Sequence, residues 1–351
     1  EVLFTHAYLI HRDPRPHGTL HPLPPLQPEE VAAFVAKRGR TAVETWDSTF
    51  RRDVGAFEVA ISRLRPHICW IYAHPTTREV AARFCAVARK AGSVVLAAGP
   101  DARLRPTHYL GAGADAIVLG EGEHSTLDLV LALRASQYRV DAEILARIPG
   151  IAWLDAQNAL RYSAGAERVV PVELLPWPHR HADSTRIHLD RWLKLQRTRP
   201  LALRSARGCP VPCGFCTNSV FGRPYRRRTP EDVVAEARDL AGRFPVDRFV
   251  FTDEVFVFDA HWLKDLARAW RGAKLPPFEA SAHPATFDAD AVRALAAAGC
   301  VRLDIDAASG SNRLMHHLGW SHEPSDVYRA AAAVREAGLD VGLRVLVGLA
   351  G

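Results

Sequence analysis

Apolar runs and helical periods alternate through the first part of the chain. VLFTHAYLI (residues 2–10) is apolar and β-prone, and a Pro-rich stretch separates it from a 3.6-residue period over 29–37. TAVETW (41–46), a helical pattern at 57–64, HICWIY (67–72), a helix over 77–91, then SVVLAAGP and DAIVLGEGE continue the alternation. Strands alternating with helices predict an α/β fold with a doubly wound, flavodoxin-like parallel sheet. Ligands of such sheets lie beyond the carboxyl ends of the strands. The loops at 6–18, 73–77, 98–101 and 120–125 therefore draw attention, although glycines such as Gly99, Gly120 and Gly122 also serve simply to make tight turns.

From about residue 136 to 200 the alternation stops. IPGIAWLDAQNALRYS suggests a hairpin turned at 155–158, and VVPVELLPWPHRHADST reads as a connector. His179 and His181 stand in a Pro-rich loop with no nearby ligand partner, so they read as surface residues and not as a metal site. Beyond 200 the βα rhythm resumes. LALRSARG runs into a cysteine-rich loop, and Thr229, Pro230 and Asp232 open a helix as N-cap, N1 and N3. DRFVFTDEVFVF, FEASAHPA, VRLDIDAASGS and VGLRVLVGLAG supply four further strands. The predicted domains are 1–138, a hairpin and linker over 139–200, and 201–351.

Composition adds few constraints. Apolar residues make up 48% of 351 and charged ones 24%, ordinary values for a folded chain that exceeds one domain's usual length. The net charge of +6 is spread along the sequence, which permits a nucleic-acid partner without implying one. No apolar run of about 18 residues is available to span a bilayer, and no secretory leader is visible, so a cytoplasmic protein without a membrane partner is expected. The chain begins at Glu1 and not at Met, and some N-terminal residues are expected to be absent.

Six cysteines are present. Cys69, Cys85 and Cys300 lie in apolar surroundings and read as small buried hydrophobes. The other three, Cys209, Cys213 and Cys216, form C-x3-C-x2-C within RGCPVPCGFC. A structural zinc site needs a fourth ligand that no second pair supplies. A redox C-x2-C would leave Cys209 without a role. An iron–sulfur cluster is normally held by four thiolates, so three would leave one iron open.

That spacing, with Phe215 before the last cysteine, resembles the radical SAM superfamily. THAYLIHRDP, WDSTF, AGPDAR, GADAIVLGEGEHSTL and LPWPHR, in that order, resemble the cobalamin-binding module found ahead of a radical SAM barrel. The resemblance implies a [4Fe-4S] cluster on the three cysteines, S-adenosylmethionine chelated at the open iron, and a (β/α)6 partial barrel. It implies SAM contacts at Thr252, Asp253, Glu254, His283, Asp306 and Ser309, and cobalamin contacts at Thr76, Gly99, Gly120, Glu121 and Gly122. It further implies a flavodoxin or ferredoxin as electron donor and C-methylation of an unactivated carbon, with oxidative cyclisation or ring rearrangement as the alternative.

The sequence departs from the family in three places. The cobalt lower-ligand signature is missing, since DPRPHG (13–18) does not fit it, and His17 is not expected to ligate. Relatives commonly carry arginine where His283 stands and glutamate where Ala308 stands, which leaves open a non-catalytic corrinoid- or cluster-binding scaffold. The chain stops at Gly351, after the fifth barrel strand, where the family has a sixth; a fragment is expected. A tRNA methylthiotransferase-like enzyme would need a second cysteine triplet near the N-terminus, and the sequence has none.

Overall fold

The computed structural model describes residues 1–13, 22–165, 167–211, 213, 216, 220–317 and 319–348. His17 and Phe215 lie outside them. The strands are β1 Val2–His6, β2 Val43–Trp46, β3 Ile68–Tyr72, β4 Val94–Ala98, β5 Ala116–Val118, β6 Ile151–Leu154, β7 Leu160–Tyr162, β8 Pro200–Leu203, β9 Ala206–Arg207, β10 Arg226–Arg227, β11 Arg248–Phe251, β12 Phe278–Ala282, β13 Cys300–Ala308 and β14 Asp340–Val345. The helices are α1 Leu26–Gly39, α2 Gly55–Leu64, α3 Arg78–Lys90, α4 Pro100–Leu104, α5 Pro106–Gly111, α6 Glu123–Ala135, α7 Ala142–Ala146, α8 Ala182–Gln196, α9 Pro230–Arg243, α10 Ala260–Gly272, α11 Ala289–Ala297, α12 Asn312–His317 and α13 Pro324–Glu336. Two compact units divide the chain, Glu1–Thr185 and Arg186–Gly351.

In the first unit the sheet runs β2-β1-β3-β4-β5-β6-β7. Its first five strands are parallel, in the flavodoxin-like order. Alternate residues of each strand enter different cores. Val2, Phe4, Trp70 and Leu96 pack with Val31, Phe34 and Val35 of α1 and with Leu129 and Leu133 of α6. Leu3, Cys69, Ile71 and Val95 pack with Phe57 of α2 and with Phe84 and Cys85 of α3. Both faces are buried, which is why these strands read as continuous apolar runs. The predicted hairpin forms as β6 and β7, but it joins the first sheet antiparallel to β5, whereas the sequence reading placed it in a connector. Helix α8 escaped that reading altogether; its apolar positions sit among charged residues just after a Pro-rich stretch.

The second unit holds a parallel five-stranded sheet, β14-β13-β12-β11-β8. Leu201, Leu203, Phe249, Phe251, Phe278, Leu303 and Ile305 point into one apolar core with α9, α10, α11 and α13. The alternate positions carry Glu279, Ser281, Arg302, Asp304 and Asp306, and their charges are matched on that face. Glu279 pairs with Arg248, Asp304 with Arg302 at 2.8 Å, and Asp306 with its register partner Arg344 at 3.2 Å. One face is thus helix-covered oil and the other a polar lining. Among the described residues no helix is long and apolar enough to cross a membrane.

Candidate cluster loop and ligand cleft

Strand β8 leads directly into the cysteine loop, whose base is closed by the short antiparallel ladder of β9 and β10. Gly208 has φ of +85°, and a Cβ there would stand 2.0 Å from the Pro224 carbonyl oxygen, so only glycine lets the chain turn into Cys209. The Cys209 amide donates to the Gly222 carbonyl at 3.2 Å, and the Cys216 amide to the Cys213 carbonyl at 3.1 Å. The guanidinium groups of Arg204 and Arg207 lie over the Phe221 ring at 4.6 and 4.9 Å. Arg227 stacks on Trp262 at 4.1 Å, while Arg228 pairs with Asp232 and Glu236. The basic run at 226–228 is therefore a brace for the loop's base.

Cys209 and Cys213 are half-buried and Cys216 is exposed. Burial pushes the Cys213 thiol up to about 11, with Cys209, Cys216 and Asp306 adding to the rise, and Cys209 moves the same way. The three sulfurs thus lie within electrostatic reach of one another. No group of three or more histidine, cysteine or carboxylate residues among the described residues is placed to hold a single metal ion. The ligands of a four-iron cluster stand on separate irons and need not converge on one point. The donor set of three thiols on one closed loop fits such a cluster.

Around the loop, the expected SAM residues separate by role. Asp253 is 5% exposed, and its Oδ1 accepts from the Ser205 amide at 2.9 Å, the Ser205 hydroxyl at 3.0 Å and the Ala206 amide. Burial raises its carboxyl pKa against the pull of Arg227. It anchors the chain entering the loop. The Thr252 hydroxyl donates to the Leu203 carbonyl at 3.1 Å, tying β11 to β8, and Glu254 is exposed at the strand's carboxyl end. At the end of β13, burial raises Asp306 while Arg344 opposes it, and the Ser309 hydroxyl accepts from the Ser311 amide. Ala308 has φ of +53°, unusual for a residue with a Cβ, at a register break between β13 and β14. His283 is buried; its Nδ1 accepts from the Ala285 amide at 3.2 Å, and its Nε2 is 3.9 Å from the Cys213 sulfur. Burial and the neighbouring His322 push its pKa down to about 4, so the ring is neutral. His322, 4.7 Å away edge-on, was not singled out in the sequence; its Trp-x-His context carries no signal for it.

In the first unit, a cleft of about 500 Å³ opens between the carboxyl ends of β1 and β3, where the strand order reverses. That is the switch point at which such sheets take their ligands. His6, Tyr8, Gln27, Thr49, Tyr72 and Thr76 are among the residues lining it. His6 is locked in place: its Nε2 meets Asp47 at 2.8 Å and its Nδ1 accepts from the Tyr8 amide at 3.3 Å. Thr76 alone of the expected cobalamin residues lines this cleft.

The chain's own packing also constrains the glycines. A Cβ on Gly99 would come within 2.6 Å of the Ala73 carbonyl oxygen and 2.9 Å of the Tyr72 ring, so this glycine lets β4 end against β3. A Cβ on Gly120 would strike the Glu167 carboxylate, which accepts from the Glu121 amide at 2.9 Å and from the Gly122 amide. Glu167 thus fills the loop and caps the amino end of α6. Burial pushes its pKa up to about 7 in spite of those two bonds. The two connector histidines serve the chain: the His179 amide donates to the Glu29 carbonyl, and His181 faces Glu44 at 3.8 Å.

Residues 203–351 match the Radical SAM superfamily. The second unit is a radical SAM domain. An anaerobic magnesium-protoporphyrin IX monomethyl ester cyclase of Rubrivivax gelatinosus is 30% identical over 146 residues, 40% of this chain and 24% of that enzyme. Solved structures share the fold, OxsB and TsrM among them. The cobalamin-dependent S-adenosylmethionine radical enzyme OxsB, with aqua-cobalamin and S-adenosylmethionine bound, has a TM-score of 0.81 at 16% identity, covering 100% of this chain and 50% of its own. The radical S-adenosylmethionine methyltransferase TsrM of Kitasatospora setae, with cobalamin and a [4Fe-4S] cluster bound, has a TM-score of 0.79 at 20% identity, covering 99% of this chain and 69% of its own. The chain spans about a quarter of the cyclase's length and half of OxsB's. The radical SAM domain begins within β8, so the match takes in the cysteine loop and the polar strand ends together.

Proposed function

We propose that this chain acts as a radical SAM enzyme that uses cobalamin to functionalise an unactivated carbon of a small molecule, by C-methylation. The cluster would supply the electron that cleaves the sulfonium of S-adenosylmethionine, and cobalamin the methyl group. One observation carries the reading: three thiols on a closed loop at the carboxyl end of β8, with every other ligand position there left to something other than cysteine. Cys209, Cys213 and Cys216 hold the irons. Thr252 and Glu254, at the end of β11, face the methionyl amine, and Asp306 and Ser309, at the end of β13, accept from the ribose. Asp253 keeps the loop's entry in place through Ser205 and Ala206. Thr76 and the switch-point cleft take the corrinoid, with Gly99, Gly120, Glu121 and Gly122 shaping the turns behind it. His6, with both ring nitrogens engaged by Asp47 and the Tyr8 amide, would not serve as a ligand to cobalt.

The electron comes from a flavodoxin- or ferredoxin-class donor in the cytoplasm. Oxidative cyclisation is the second reading, favoured by the similarity to the Rubrivivax cyclase. Anaerobic reconstitution with iron and sulfide, followed by a low-potential reductant and S-adenosylmethionine, should yield 5′-deoxyadenosine and methionine. Yields no higher than those of Cys213→Ala would overturn the assignment.

A further inference from the structure

His283 stands where the family's contact to S-adenosylmethionine was expected, yet it is 3% exposed and faces the cysteine loop. The direction of its proton follows from geometry. Nδ1 accepts a hydrogen bond from the Ala285 amide at 3.2 Å, capping the short turn at Pro284–Thr286, so Nδ1 carries no hydrogen. The ring proton is on Nε2, and Nε2 points at the Cys213 sulfur from 3.9 Å. His322, itself 5% exposed, packs edge-on against the ring with an interplanar angle of 89° and holds it in that orientation. A thiolate bound to iron carries negative charge that the free thiol lacks, so the same N–H meets a stronger acceptor once a cluster is loaded.

We propose that His283 is a positioning residue for the cluster, donating an N–H···S hydrogen bond to the Cys213 thiolate and thereby raising the cluster's reduction potential. Hydrogen bonds to the sulfurs are one of the levers that set such potentials, because they stabilise the more negative, reduced state. The inference rests on the cluster assignment above. It leaves the SAM carboxylate to other residues, and so gives a chemical use to a position at which the chain departs from its relatives.

The test is an EPR-monitored redox titration of the reconstituted chain and of two variants. His283→Phe keeps the ring's bulk without a donor, and His283→Gln places an amide N–H near the position of Nε2. We expect His283→Phe to lower the midpoint potential enough to shift the oxidised-to-reduced ratio at fixed poise about tenfold, or 59 mV for one electron, with His283→Gln returning toward the parent. A cluster that loads in His283→Gln but not in His283→Phe also supports the donor. Equal potentials in all three proteins would overturn the proposal, as would two folded variants that both fail to load, which would make the role structural. A parent chain that takes up no iron defeats the cluster assignment itself, a result distinguishable from either of these.

Discussion

The cysteine loop of the second unit and the switch-point cleft of the first are both ligand mouths at the carboxyl ends of parallel strands, yet they are built on different principles. The loop offers donor atoms: three thiols, a closed base and a buried carboxylate tying the entering strand. The cleft offers shape, with aromatic, proline and hydroxyl groups around about 500 Å³ and no cysteine among its lining residues. A site that holds its ligand by covalent donors needs residue types at a fixed spacing. A site that holds its ligand by enclosure needs only that the strand order reverse.

The largest expected effect separates the two mouths. Cys213→Ala should abolish the cluster's visible absorbance and lower deoxyadenosine formation by at least about a hundredfold, while corrinoid uptake stays at the parent level. Loss of both together would show that the two are not independent. Next comes Gly208→Ala. With φ of +85° and the Pro224 carbonyl in the way, it should cost about 3 kcal/mol in urea denaturation and reduce iron loading. An unchanged midpoint would mean that the loop's turn is not constrained as described.

Thr76→Trp would fill the mouth of the cleft. It should weaken cobalamin binding about tenfold, or 1.4 kcal/mol, with the cluster spectrum intact; unchanged binding would move the corrinoid elsewhere. The last effect concerns Glu167 and touches neither mouth's ligand. Its carboxyl has a pKa of about 7 in the fold against an ordinary 4.5, so the folded state binds this proton more tightly. The stability it contributes is full below about 4.5 and is lost as pH rises through 7. Glu167→Gln does not titrate, so it should gain on the parent by about 1–2 kcal/mol between pH 4.5 and 8, seen as a changing gap between their denaturation midpoints. A constant gap would show that burial does not perturb this group.

The same contrast explains what the sequence made legible. C-x3-C-x2-C could be read because each of its members is chemically committed, and Thr229 could be read as a cap because an N-cap hydroxyl satisfies a nearby amide, here that of Asp232. Alternating apolar runs located all ten of the parallel strands, since burial on both faces or on one leaves a periodic trace. Gly99 and Gly120 read as ligand approaches or as turn formers, because glycine signals close approach without saying what approaches. Here it is Tyr72 and the Ala73 carbonyl in one case and Glu167, 47 residues further along the chain, in the other. His283 was read by its position among relatives, whereas its partners, Cys213 and His322, lie 70 residues before it and 39 after it. Such contacts leave no local pattern.

The central claim is that the three thiols hold a cluster with one iron open to S-adenosylmethionine. It is tested most directly by EPR of the reconstituted, reduced chain before and after adding S-adenosylmethionine. The account predicts a reduced [4Fe-4S] signal whose g-values shift on addition, and no such signal in Cys213→Ala. A loaded cluster whose spectrum is indifferent to S-adenosylmethionine would contradict it.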